Sequence, residues 1–82
     1  MTDREVLKHG LLMKMGLPPG HPTDAELDLI IQYISGIRPV RTPTDADWRA
    51  ACVKYVERTG EFVYAAQDTS DLNELLMTIL RS

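Results

Sequence analysis

The chain has 82 residues and a mass of 9.2 kDa, which suits one small domain and leaves no room for a second domain with a cleft between them. Hydrophobic residues make up 44% of the sequence and charged residues 26%, as in folded globular domains rather than disordered or collagen-like chains. The formal net charge of −3 opposes the broad positive potential that non-specific nucleic-acid binding requires. We therefore expect residues 1–82 to form a single domain, with nucleic acid a disfavoured partner.

The sequence also indicates where the protein resides. The lone cysteine, Cys52, excludes an intramolecular disulfide and suits a reducing compartment. The first residues lack the uninterrupted apolar core of a secretory signal, and no stretch approaches the roughly 18 apolar residues of a membrane span. These features predict a cytoplasmic protein without a membrane segment, in which Cys52 is a small core residue.

Four segments carry the signature of a helix start. Thr2, Thr23 and Thr44 each stand three residues before an acidic side chain, which is the spacing of a capping box. In that motif the hydroxyl accepts a hydrogen bond from a backbone N–H of the first turn, and the acidic side chain accepts one from the capping residue's own N–H. Ser70, three residues before Asn73, shows a looser form of the same pattern.

Glycines mark the helix ends. Gly16 precedes a proline-rich loop, Gly36 precedes Pro39, and Gly60 follows the third helical pattern. Residues 61–67 are compatible with a short fifth helix, a continuation of the third helix or an extended segment, because periodicity does not decide over so short a run. The predicted fold class is all-α, a compact bundle of four short helices over residues 3–15, 24–35, 45–59 and 71–81.

The two middle helices each present one apolar face at the helical repeat of about 100° per residue. In the second helix this face comprises Leu27, Ile30, Ile31, Ile34 and Ile37, and in the third helix Trp48, Ala51, Cys52, Tyr55 and Val56. The acidic residues outside these faces, including Glu26 and Asp47, are expected on solvated surfaces. The apolar faces predict the core.

The first and last helices carry more apolar surface than one neighbouring helix covers. One interpretation is that the first helix crosses several others in a compact bundle. The other is that both helices leave an exposed surface for a protein partner or a second copy of the chain, where methionines act as adaptable contacts. The residues predicted to form this partner-binding surface are Leu12, Met13, Met15, Met77 and Leu80.

The sequence offers little for catalysis or metal binding. The only histidines, His9 and His21, are isolated from Cys52 in the sequence, and no nucleophile, zinc-protease or phosphate-loop motif is present. Two histidines and one cysteine do not supply a four-ligand metal site without carboxylates recruited from elsewhere. We expect a protein that is not an enzyme and that has no cofactor and no metal.

The sequence therefore predicts a small protein-interaction module, such as an adaptor, an inhibitor or a regulatory subunit. The alternative is a DNA-binding transcriptional regulator that uses the segment 38–58, where five bases outnumber three acids. Its long, proline-containing link between the second and third helices argues against a helix-turn-helix motif. The residues of this alternative basic surface are Arg38, Arg41, Arg49, Lys54 and Arg58.

Overall fold

Four α-helices form the secondary structure of the computed structural model, which describes residues 2–57 and 68–81. They are α1 (Asp3–Met15), α2 (Asp24–Ile37), α3 (Asp45–Tyr55) and α4 (Ser70–Arg81). No strand occurs in the described part of the chain. The predicted all-α fold with four short helices is confirmed, and the segment 61–67, with its candidate fifth helix, lies outside the described residues.

The predicted threonine caps are confirmed at the first three helices. The side chains of Thr2, Thr23 and Thr44 each accept a hydrogen bond from the backbone N–H three residues later. In α2 and α3 the reciprocal bond is also made, so Glu26 and Asp47 complete capping boxes. Local sequence alone therefore locates these three helix starts.

Helix α1 ends at Gly16, as predicted. Gly16 has a φ of 64°, in the left-handed region that glycine adopts without steric cost. This conformation lets the N–H of Leu17 donate to the carbonyl of Leu12 at 3.1 Å, and the Leu17 side chain is buried beyond the turn.

Two predicted helix ends are wrong. Helix α2 continues through Gly36 to Ile37, because Gly36 does not adopt the positive φ that ends a helix. Helix α3 ends at Tyr55 rather than at residue 59, and Val56 is extended, which brings the N–H of Glu57 to within 2.6 Å of Glu26 Oε2. Tertiary contacts rather than local propensity place this end.

The predicted cap of α4 is also wrong. Ser70 is the first helical residue, not the cap. The carboxylate of Asp68 accepts from the Ser70 backbone N–H at 2.9 Å and from its hydroxyl at 2.6 Å. The hydroxyl of Thr69 is directed elsewhere and donates to Asp45 Oδ1 at 2.6 Å, which joins the starts of α3 and α4.

Helix α1 runs antiparallel to both α2 and α4. On the α2 side, Arg4 pairs with Asp28 and Lys8 pairs with Asp24. The partners in α2 therefore come earlier in the chain as the residues of α1 come later, which is the antiparallel arrangement. On the α4 side, a Cβ built on Gly10 would lie 2.8 Å from Leu72 Cδ2, and Lys14 donates to the carbonyl of Asp68. The glycine therefore permits α1 and α4 to approach closely.

Helix α3 lies beside the start of α4 and folds back along α2. The indole Nε1 of Trp48 donates to Asn73 Oδ1 at 2.8 Å, and Asn73 Nδ2 donates to the carbonyl of Pro43 at 3.2 Å. The Glu57 to Glu26 contact connects the end of α3 to the start of α2, so these two helices are antiparallel. A buried Trp with a satisfied N–H anchors this junction.

The core lies among the apolar faces of all four helices. The predicted faces of α2 and α3 are confirmed, except that Ile37 and Tyr55 are only partly buried. Burial alone raises the pKa of the Cys52 thiol to about 12, which makes it the inert core residue expected. The buried hydrophobic residues are Leu7, Leu11, Met15, Leu17, Leu27, Ile30, Ile31, Ile34, Trp48, Ala51, Cys52, Val56, Leu72 and Leu76.

Candidate functional site

The partner surface predicted on α1 and α4 is only partly exposed. Met15 is fully buried, because it continues the stripe of Leu7 and Leu11 at a spacing of four residues, and its place on that surface was wrong. Leu12 is partly buried and packs against the core. Met13 is 65% exposed. These side chains therefore divide between core and surface.

The exposed residues of the two helices do not lie together. Because Gly10 faces Leu72 and Lys14 reaches Asp68, Met13 is level with the first residues of α4. Leu80, which is exposed, stands about ten residues further along α4, or roughly 15 Å at the helical rise of about 1.5 Å per residue. Met13 and Leu80 therefore do not form one continuous surface.

The basic segment is also divided by the fold. Arg41 forms a bidentate ion pair with Asp47, in which Nη2 and Oδ1 are 2.7 Å apart. The hydrogen bond from Arg41 and the Thr44 backbone N–H outweigh burial and lower the pKa of Asp47 to about 2. Asp47 is consequently buried and paired, not on the solvated face predicted for it, and it compensates the charge of Arg41.

The remaining basic residues have different surroundings. Arg38 caps the end of α2 and is partly buried, whereas Arg49 is exposed on α3. Lys54 lies over two tyrosine rings. Arg58 lies outside the described residues.

A cluster that the sequence did not single out joins the outer faces of α2 and α3. The rings of Tyr33 and Tyr55 meet edge to face, with centroids 6.2 Å apart and planes at 67°. The Nζ of Lys54 stands 5.8 Å from the Tyr33 centroid and 5.3 Å from the Tyr55 centroid. Leu29, 42% exposed, precedes Tyr33 by one helical turn on the same face. We call Leu29, Tyr33, Lys54 and Tyr55 the tyrosine surface.

The polar groups of the tyrosine surface have no hydrogen-bond partner among the described residues. Neither tyrosine hydroxyl is hydrogen-bonded within residues 2–57 and 68–81, and Lys54 has no carboxylate within 4.0 Å in that same part of the chain. Both rings are partly buried and pack against the core, which holds their positions. The surface combines ordered apolar area with available hydrogen-bond donors.

Sequence reasoning missed this cluster for a physical reason. Tyr55 belongs to the apolar face of α3, but it lies at the border of that face rather than at its centre. The spacing of Leu29 and Tyr33 places them together on one helix, and this was the available signal. Their proximity to Lys54 and Tyr55 depends on how α3 packs against α2, which the sequence pattern does not reveal.

A second unexpected cluster surrounds Glu26, which is buried rather than solvated as predicted. Its Oε1 accepts from the Thr23 backbone N–H at 2.7 Å and lies 2.8 Å from His21 Nδ1, while Oε2 accepts from the Glu57 N–H at 2.6 Å. Burial raises the pKa of Glu26, but these hydrogen bonds outweigh it and lower the pKa to about 2. An ionised carboxylate only accepts, so Nδ1 of His21 carries a proton.

The Glu26 cluster connects three segments of the fold. It joins the loop before α2, the first turn of α2 and the segment after α3 through one carboxylate. His21 also lines a shallow cavity of about 170 Å³ together with Lys8, His9, Leu12, Gly20 and Pro22. None of the described residues that line this cavity is a serine, threonine or cysteine.

The described residues contain no group of three or more His, Cys, Asp or Glu side chains placed to hold a metal ion. Within the same residues, none of the helices combines the length and apolar character needed to cross a membrane. The chain matches no protein-family model, no curated protein sequence and no solved structure.

Proposed function

We propose that this chain is a small, non-enzymatic helical module that binds a partner protein through the tyrosine surface. The observation that supports this is the packed, partly buried pair of Tyr33 and Tyr55 with Lys54 over both rings. Tyrosine is enriched at protein interfaces because it offers a large apolar area, a polar end and few rotatable bonds to immobilise. Leu29 extends the apolar area on the same face.

The tyrosine surface suits a partner better than the apolar residues of α1 and α4. Interface hot spots cluster in one region where side chains are already ordered by their neighbours. Tyr33, Tyr55 and Lys54 contact one another, whereas Met13 and Leu80 lie at opposite ends of the α1 and α4 pair. The proposal therefore keeps the interaction function and moves its surface from α1 and α4 to α2 and α3.

A DNA-binding role receives less support. Affinity for DNA depends on several basic side chains that neutralise phosphates. Asp47 already compensates Arg41, and the formal net charge of the chain is −3. No observation in the structure specifically favours this alternative.

Site-specific cross-linking in the cells that produce the protein tests the proposal. A photoreactive amino acid is placed at position 29, beside Tyr33, and separately at positions 13 and 80. We expect a covalent adduct with another protein at position 29 and none at the other two. Adducts at position 13 or 80 alone would move the interface to α1 or α4, and their absence at all three would contradict the interaction function.

Matched charge substitutions provide the complementary test. Leu29→Glu and Met13→Glu each put a carboxylate in place of an exposed apolar side chain, so both are expected to fold, which circular dichroism checks. Co-purification of the cross-linked partner should be lost in Leu29→Glu and kept in Met13→Glu. Sedimentation equilibrium of the purified chain shows whether the partner is a second copy.

A further inference from the structure

We infer that the partner segment that binds the tyrosine surface is acidic and places a carboxylate against Lys54. This inference rests on the proposed function and adds the chemistry of the partner. It follows from the inventory of hydrogen-bonding groups on the surface, not from its apolar area.

The charged group of this surface, the ammonium of Lys54, is a hydrogen-bond donor only. An ammonium group has three N–H donors and no acceptor. Lys54 has no carboxylate within 4.0 Å in the described part of the chain, and the hydroxyls of Tyr33 and Tyr55 are not hydrogen-bonded there. Glu57, three residues after Lys54, does not come within 4.0 Å of the Lys54 Nζ, and Asp47, two helical turns before it, is engaged by Arg41 and Thr44. A partner that supplies acceptors therefore satisfies this surface.

The positive charge of Lys54 favours carboxylates over neutral acceptors. Lys54 carries a positive charge that forms no ion pair within residues 2–57 and 68–81, although the whole chain is acidic. Approach of a carboxylate forms a charge-assisted hydrogen bond, which is stronger than a bond to a neutral acceptor. A partner that covers the two aromatic rings and Leu29 would displace water from the contact, and this would increase the electrostatic attraction. Complementary charge of this kind fixes register and increases the association rate.

The contrast with Lys8 makes the inference specific. Lys8 is also a helix-surface lysine, but its Nζ lies 2.9 Å from Asp24 Oδ1 and its charge is compensated within the chain. The Lys54 ammonium instead lies over two aromatic rings, and no described carboxylate comes within 4.0 Å of it. Lys8 therefore serves as the matched control in the experiment.

Selection from a display library of random twelve-residue peptides tests the inference without assuming a partner sequence. We expect the peptides that bind the intact protein to be enriched in Asp and Glu, and the enrichment to disappear with Lys54→Gln and persist with Lys8→Gln. Enrichment of neutral or basic peptides, or an acidic enrichment that Lys54→Gln leaves unchanged, would overturn it, as would failure to select any peptide.

Affinity measurements then distinguish binding of an acidic peptide from binding of other anions. For a selected peptide, fluorescence anisotropy should show binding about five- to tenfold weaker with Lys54→Gln, and weaker in higher salt. An oligothymidylate that competes at equal concentration would assign the surface to nucleic acid and overturn the inference. If position 29 cross-links to a protein but the selected peptides show no preference for Asp and Glu, the proposed function stands and only the acidic character of the partner is refuted.

Discussion

Helix α2 contacts its two neighbours in different ways. Toward α1 it presents Asp24 and Asp28, which form ion pairs on the surface, and the Asp28 side chain remains 58% exposed. Toward α3 it presents Glu26 and Tyr33, which are buried or half-buried and meet backbone or aromatic groups. The same helix therefore has one flank where charges stay hydrated and one where polar groups are withdrawn from water.

This difference indicates where stability and binding are concentrated. Exposed ion pairs contribute little, because water and salt screen them and two long side chains must be ordered. A buried carboxylate contributes more through the donors it satisfies, since removing it leaves those donors unpaired. The α3 flank combines such a carboxylate with the tyrosine surface, so one junction between helices both stabilises the fold and orders the proposed binding residues.

Replacement of the buried carboxylate should have the largest effect. Glu26→Gln places an amide where backbone N–H groups of Thr23 and Glu57 donate, so we expect the free energy of unfolding to fall by about 1–3 kcal/mol. Asp28→Asn on the opposite flank is the control and should cost less than about 1 kcal/mol. Urea denaturation measures both, and equal losses would abolish the distinction between the flanks.

Lowering the pH should remove the stabilisation that the Glu26 carboxylate provides. The pKa of Glu26 is about 2 in the folded chain against an ordinary value of 4.5, so the stability it provides is present above pH 4.5 and lost as pH falls toward 2. Asp47, with a pKa of about 2 against 3.8, adds a loss below pH 3.8. The difference in unfolding free energy between the wild type and Glu26→Gln should therefore shrink over this range. A difference independent of pH would contradict the assignment.

The aromatic contacts of Lys54 should have a smaller effect. A double-mutant cycle with Tyr33→Leu and Lys54→Met measures their coupling, and we expect about 0.5–1 kcal/mol because Lys54 is exposed. Chemical denaturation of the four proteins provides the values. Zero coupling would mean that Lys54 does not pack on the Tyr33 ring in solution.

The ion pair between α1 and α2 should have the smallest effect. Arg4→Ala removes the partner of Asp28, and we expect a loss of about 0.2–1 kcal/mol that vanishes in about 0.5 M salt. Thermal or urea unfolding at low and high salt measures it. A loss as large as that of Glu26→Gln at both salt concentrations would show that this flank also depends on its charges.

Local sequence determined the helices and most of the core. Thr2, Thr23 and Thr44 located three helix starts, and Gly16 located one helix end, because capping hydrogen bonds and a left-handed glycine involve only neighbouring residues. The apolar repeat of α2 identified its buried face, since burial at a spacing of three and four residues is a property of the helix itself.

Only the tertiary structure decided the rest. Helix α3 ends at Tyr55 because Glu57 reaches Glu26, and Met15 is buried because α1 turns that stripe toward the core. The tyrosine surface arises where α2 and α3 meet, so its residues are adjacent in space although Tyr33 and Tyr55 are distant in sequence. Caps and periodicity act within one helix, whereas the candidate site depends on the contact between two.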